Sequence, residues 1–175
     1  IMFENKKEAT ASAYRVQIVD TLSAVFDSET VKFGATSHSG INYKWKMERN
    51  GNVIKWDIEG IELLPNITPP EGEGFVSFSV ELKKDLPSGT KIENAATIVF
   101  DMNPPIQTNT WTNIIDLIEP KTVMNPIIYS GGDDKITVSC SSSDNTQGSG
   151  LNRFLFFASV NYGPFTLAGE SFHSS

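Results

Sequence analysis

Oxygen-bearing side chains gather in one stretch, Ile92 to Asn113, which reads IENAATIVFDMNPPIQTNTWTN. Asp101, Asn103 and Asn109 flank a Pro104–Pro105 step there. Two prolines forbid a helix or a central strand and leave carbonyls out of any ladder. Ca²⁺ takes about six to eight oxygen ligands, so a cation site on Asp101, Asn103 and Asn109 is one reading. The other, favoured because only one of the three is a full carboxylate, is turn chemistry: Asp and Asn side chains bond to nearby backbone and cap the corner. A second oxygen group, Asp133, Asp134, Asp144 and Asn145, lacks the spacing of an EF-hand loop. No cofactor other than Ca²⁺ is expected.

Covalent and acid–base chemistry find less support. The histidines are His38, in a Gly/Ser loop, and His173, near the last residue, and neither has a plausible orienting partner for a nucleophile. Cys140 lies in a predicted strand and reads as a small core residue. Glu71 and Glu73 sit on a Pro/Gly loop rather than in the cleft that a glycosidase pair needs. No catalytic residue is predicted. Trp45, Trp56 and Trp111 could form a sugar platform, but Trp45 and Trp56 are in phase within strands, which core packing explains better. Asn66-Ile67-Thr68 matches a glycosylation acceptor followed by a proline. A Lys–Asn cross-link using Lys6 or Lys7, Asn109 or Asn113 and Glu81 would need a buried carboxylate on the intervening strand, whereas solvated lysines are the default.

Composition narrows the partners. The chain has 175 residues and a net charge of −7. Lys+Arg number 11 against 16 Asp+Glu over residues 1–118, and 3 against 5 beyond. The acidity is spread and no basic cluster stands out, which argues against nucleic acid and against an anionic membrane surface. No apolar run approaches the roughly 20 residues that span a bilayer. A single cysteine excludes an internal disulfide, and its scarcity does not argue for the cytoplasm. The ends of the sequence read as cuts from a longer chain.

The elements that would carry these residues are strands. Tyr14–Asp20 alternates. Asp27–Thr30 reads as a turn or a short helix start and Val31–Ala35 as a short strand. Tyr43, Trp45 and Met47 share a face, as do Ile54, Trp56 and Ile58. Asn50-Gly51 between them predicts a hairpin through a type I′ turn. A Pro/Gly-rich connection, 65–74, precedes the clearest strand, Phe75–Leu82, with Val76, Phe78, Val80 and, in part, Leu82 facing inward. Ala96, Ile98 and Phe100 share a face before the prolines, and the chain restarts at Thr108. Beyond a linker at 119–125, Lys135–Cys140 and Leu151–Val160 read as strands, Asn161–Pro164 as a hairpin turn and Phe165–Leu167 as its return. Helical periodicity is nowhere sustained. Strands every 8–15 residues predict an all-β antiparallel sandwich over 1–118. A second, smaller β unit over 126–175 has about half the strands a sandwich needs, and would expose a sheet edge and an apolar face.

The strings WDIEGIELLPN, PPEGEGFVSFSV, LPSGTKIENAATIVFDMNPPIQTNT and NIID resemble an Ig-like "conserved repeat" module of large secreted bacterial surface proteins. KITVSCSSSDNTQGSGLNRFLFFASVNYGPF resembles the opening strands of a fibronectin type III-like module, with Cys140 where an aromatic is usual. The resemblance implies Ig-like sandwiches in adhesins, extracellular hydrolases and cell-envelope proteins, and transfers no catalytic residue. The expected role is a non-catalytic structural or adhesive module, secreted or on the cell surface. Its partners would be neighbouring domains and, at an edge strand or loop end, a surface protein or glycan. The alternative is a carbohydrate-binding or accessory module of an extracellular hydrolase.

Overall fold

The structure is a computed structural model and describes residues 1–38, 43–130, 132, 135–146 and 148–172. It resolves into two compact units. The first comprises Ile1–Leu86 and Lys91–Asn113, the second Pro87–Thr90 and Ile114–Ser175.

The first unit opens with β1 (Met2–Glu4), β2 (Ala13–Thr21), β3 (Phe26–Thr36), β4 (Lys44–Asn50) and β5 (Val53–Leu63). It continues with β6 (Glu73–Leu82), β7 (Lys91–Asn94), β8 (Ala96–Phe100), β9 (Ile106–Gln107) and β10 (Trp111–Ile114). One sheet runs in the order β4-β5-β2-β8-β9 and the other β1-β6-β3, while β10 pairs with β7. Alternation decides which side chains meet. Val16, Ile18 and Leu22 of the β2 segment, Ile54, Trp56 and Ile58 of β5 and Ala96 and Ile98 of β8 are buried from one sheet. Phe3 and Val76 are buried from the other, with Phe33, Phe78 and Val80 packed against the same core. The unit is an antiparallel sandwich of two sheets, and the all-β expectation holds. Trp56 lies in the middle, edge-on to Phe33 with centroids 5.6 Å apart.

Three local expectations change. Asp27–Thr30 does not end a strand. It forms a bulged part of β3, where the ladder with β6 slips between Asp27 and Lys32. The Thr30 hydroxyl donates to the Asp27 carbonyl at 2.7 Å, so turn chemistry persists inside the strand. The β4–β5 hairpin forms, but Asn50 pairs with Val53, so the loop is Gly51-Asn52. Gly51 alone of these two has positive φ, +59°. That is the geometry of a type II′ turn, not type I′, and glycine at its first central position supplies it without steric cost. Finally, β5 runs on to Leu63, burying Ile61 and Leu63.

The second unit consists of two-stranded antiparallel ribbons. β11 (Lys121–Met124) pairs with β14 (Cys140–Ser143), and β12 (Ile128–Ser130) with β13 (Lys135–Thr137). β15 (Arg153–Ala158) pairs with β16 (Thr166–Phe172). The expected strand Lys135–Cys140 is therefore two, broken after Thr137, and 119–125, read as a linker, contains β11. Cys140 opens β14 opposite Met124 and is half-buried. Residues 87–90 join this unit through backbone bonds: Gly89 N–H donates to the Ile115 carbonyl at 2.7 Å, and Ile115 N–H to the Thr90 carbonyl at 2.9 Å.

Candidate functional site

Asp101 follows β8 with a φ of 53°, a left-handed conformation that Asp tolerates better than most residues. This twist turns its carboxylate back over β2. Asp101 Oδ1 accepts the backbone N–H of Tyr14 at 2.9 Å and of Arg15 at 2.8 Å. Its own N–H donates to the Arg15 carbonyl at 2.8 Å. Asn103 N–H donates to the Phe100 carbonyl at 2.9 Å, and the side chains of Asn103 and the prolines are exposed.

Asn109 lies at the other end of the corner. Thr108 N–H donates to the Ala96 carbonyl at 2.8 Å, the Thr108 hydroxyl accepts the Ala96 N–H at 3.0 Å, and the same hydroxyl donates to the Asn109 carbonyl. Asp101 thus sits beyond Phe100 and Asn109 beside Ala96, with the five residues of β8 between them, roughly 13 Å of extended chain. The structure does not bring the three candidate oxygens to one point. Glu4, Lys6, Glu8, Phe100, Asn103 and Pro105 border an open depression of about 570 Å³ on this corner.

A denser polar centre lies in the second unit. Asp116 Oδ2 accepts the Ser149 N–H at 2.8 Å and its hydroxyl at 3.0 Å, while Oδ1 accepts Ile118 N–H at 3.1 Å and Asn145 Nδ2 at 3.2 Å. The Ser149 and Ile118 amides hold the Asp116 carboxyl down at about 2. Asp144 Oδ2 accepts Gly150 N–H at 2.7 Å, and its Oδ1 accepts Asn145 N–H at 2.8 Å. A Cβ on Gly148 would come within 2.6 Å of Asp144 Oδ2 and Asn145 Nδ2 and 2.8 Å of Asp116 Oδ2. Asp144 and Asn145 therefore cluster with Asp116, which nothing in its sequence neighbourhood marks. Asp133, Asp134 and His173 lie outside the described residues.

The remaining candidates are placed as follows. Asn66 is buried, and its Nδ2 donates to Glu4 at 2.8 Å and Glu73 at 3.1 Å, while its Oδ1 accepts Gly72 N–H. An amide so enclosed is not presented for glycosylation. Trp45 is half-buried with Nε1 donating to the His38 carbonyl at 2.9 Å, and Trp111 is 57% exposed. Desolvation lowers the His38 imidazole below its ordinary range. Lys6, Lys7, Glu81 and Asn109 are all exposed, so Glu81 is not a buried carboxylate. On the outer face of the large sheet Arg15 grips Asp57 through Nε at 2.8 Å and Nη2 at 2.6 Å. That hydrogen bond first, with help from Gln17, lowers the Asp57 carboxyl. Among the described residues, no three His, Cys, Asp or Glu side chains converge as metal ligands would.

Residues 1–114 match the family described as Domain of unknown function (DUF7619). The chain belongs to this family. The DUF7619 match ends at the last residue of β10, so it takes in every strand of the sandwich. None of the curated proteins matches the chain. Among solved structures it is similar to BcpA, the major pilin subunit of Bacillus cereus, at 13% identity and a TM-score of 0.42, over 89% of this chain and 52% of that one. An Asp-to-Ala variant of the same subunit matches at 12% identity and a TM-score of 0.42, over 93% and 56%. The chain spans about half the length of these pilin subunits.

Proposed function

We propose that this DUF7619 chain is a non-catalytic structural or adhesive module of a secreted or cell-surface bacterial protein, one that spaces or presents neighbouring domains. The observation that carries this reading is the engagement of Asp101. The carboxylate best placed by sequence for chemistry holds the backbone of β2 instead. Asn66, Asp57 and Asp116 are engaged in the same way, each closing the fold on itself. No described helix is long and apolar enough to cross a membrane. A spacer acts through its shape, so exchanging residues 1–114 for an unrelated sandwich of similar length in the parent protein should preserve the activity of the flanking domains. Loss of that activity, with the exchanged protein folded, would sink the reading. The Ca²⁺ alternative at Asp101, Asn103 and Asn109 predicts a melting temperature raised by millimolar Ca²⁺ and lowered by EDTA. The engaged Asp101 predicts neither.

One observation favours the carbohydrate-binding reading. Trp111 is exposed at the rim of an open depression of about 430 Å³, with Asn94, Thr108 and Asn109 beside it. An aromatic face beside amide and hydroxyl groups suits a sugar ring. Soluble polysaccharides should then quench the tryptophan fluorescence of the wild type and not that of Trp111→Ala. An unresponsive wild type removes this reading.

A further inference from the structure

Asp20 breaks the apolar rule of β2. It points inward in phase with Val16 and Ile18 and is fully buried, level with Ile54 of β5 and Ala96 of β8. Among the described residues its one hydrogen-bond donor is Asn94, the last residue of β7, whose Nδ2 reaches Asp20 Oδ2 at 2.7 Å. Two buried oxygens of this pair have no partner among the described residues: Asp20 Oδ1 and Asn94 Oδ1. Both are acceptors in an ionised acid and an amide, so the pair as drawn is short of one donor. A proton on Asp20 Oδ1 is a donor of the right kind, and Asn94 Oδ1 is the orphan acceptor on the side chain already bonded to it.

We propose that Asp20 and Asn94 form a reciprocal acid–amide pair, with the Asp20 hydroxyl donating to Asn94 Oδ1 and Asn94 Nδ2 donating to Asp20 Oδ2, and that this pair is a pH-sensitive latch of β7 onto β2. Loss of the proton to solvent leaves a buried carboxylate with one donor and an amide oxygen with none. The latch then opens, and the β7–β10 ribbon loosens.

The surroundings favour the neutral acid. Burial raises the Asp20 carboxyl above the ordinary range, while the Asn94 hydrogen bond pulls the other way. The charges of the packed elements point away. Arg15 on β2 and Asp57 on β5 pair on the outer face, with Lys55 on that same face of β5. On β7, Lys91 pairs with Glu93 at 2.9 Å. Lys32 of β3 and Glu81 of β6 are exposed. The strands of the facing sheet bring Phe33, Phe78 and Val80 against the core, and none of these is titratable.

The sign of the effect follows. A carboxyl raised on folding contributes stability that is complete below its unfolded value and is lost as pH rises through its raised value. All three tryptophans lie in the first unit, so their fluorescence reports its unfolding alone. The melting temperature of the wild type should fall by several degrees from mildly acidic to mildly alkaline pH. Asp20→Asn, which can keep both hydrogen bonds as an amide–amide pair and cannot ionise, should lose that fall and exceed the wild type only at the alkaline end. In the wild type, the Asp20 carboxyl carbon should titrate above the ordinary carboxylate range by NMR. Amide exchange at Ile92 and Asn94 should accelerate over the same interval. A carboxyl carbon that titrates in the ordinary range or below it would overturn the proposal. So would an Asp20→Asn variant less stable than the wild type by the same margin at every pH.

Discussion

Asp116 and Asp101 use one chemistry, a carboxylate satisfied by backbone amides, at two different ranges. The donors to Asp116 include its near neighbour Ile118 and the distant Ser149. Its folded carboxyl sits at about 2 against an ordinary 3.8. A depressed carboxyl contributes stability that is complete above the unfolded value and is lost as pH falls through the folded one. Acid should therefore weaken the second unit between about 4 and about 2, and Asp116→Asn should flatten that part of its unfolding curve, followed by circular dichroism against pH. An unchanged acid limb in the variant would show that these bonds do not hold the unit. Asp101 depends on donors 86 and 87 positions away. That distance is why the stretch Ile92–Asn113 invites a cation: its Asp and Asn are visible in the sequence, and the amides of Tyr14 and Arg15 that claim Asp101 are not. Asp20 was legible as a position, since it falls on the apolar phase of β2, but its partner Asn94 comes from a different strand.

At the scale of elements, alternation located β2, β4, β5, β6 and β8 and most of their inward faces, because burial of one face leaves a period of two in the chain; Met47 of β4 and Leu82 of β6, expected inward, are exposed at the ends of those faces. Turn chemistry was less legible. Asn50-Gly51 marked a hairpin correctly, yet the strands pair one residue further on and place Gly51 first in the loop. The type I′ signature arises elsewhere. At Asn161-Tyr162 both central residues have positive φ, 51° and 58°, and Gly163 N–H donates to the Val160 carbonyl at 2.9 Å. Tyrosine resists that conformation and glycine does not. Tyr162→Gly should thus stabilise the β15–β16 hairpin by up to about 1 kcal/mol, while Gly51→Ala should destabilise the sandwich by about the same. A Cβ on Gly51 meets nothing within 4 Å, so that cost is conformational only. Urea unfolding of both variants checks the pair, and the two effects should be opposite in sign. The bulge in β3 and the break after Thr137 escaped notice because each depends on pairing with a distant strand rather than on local pattern.

The two units differ in how they protect their backbone. The first encloses β2 between β5 and β8 over a core that includes five isoleucine and leucine side chains with no exposure at all. In the second, Ile128, Tyr129, Ile136 and Phe165 are 62% to 74% exposed. Two-stranded ribbons with open apolar faces are marginal in water. Native-state hydrogen exchange should find the amides of β2 and β5 protected to the level of global unfolding, and those of β12, β13 and β15 exchanging through far smaller openings. Equal protection in both units would contradict this. Counting put three or four strands after residue 126, where the structure has five short ones among the described residues, because the break after Thr137 splits one expected strand in two. The pairing that closes the sandwich also sets a timetable. β2 is made early, but its second ladder partner, β8, and the Asp101 that clamps it come about 80 residues later. At roughly 5–20 residues per second of synthesis, β2 waits on the order of ten seconds with one edge unpaired. During that interval the strand destined for the centre of the molecule is an edge strand, open to a neighbouring nascent chain, and the arrival of Asp101 ends the exposure.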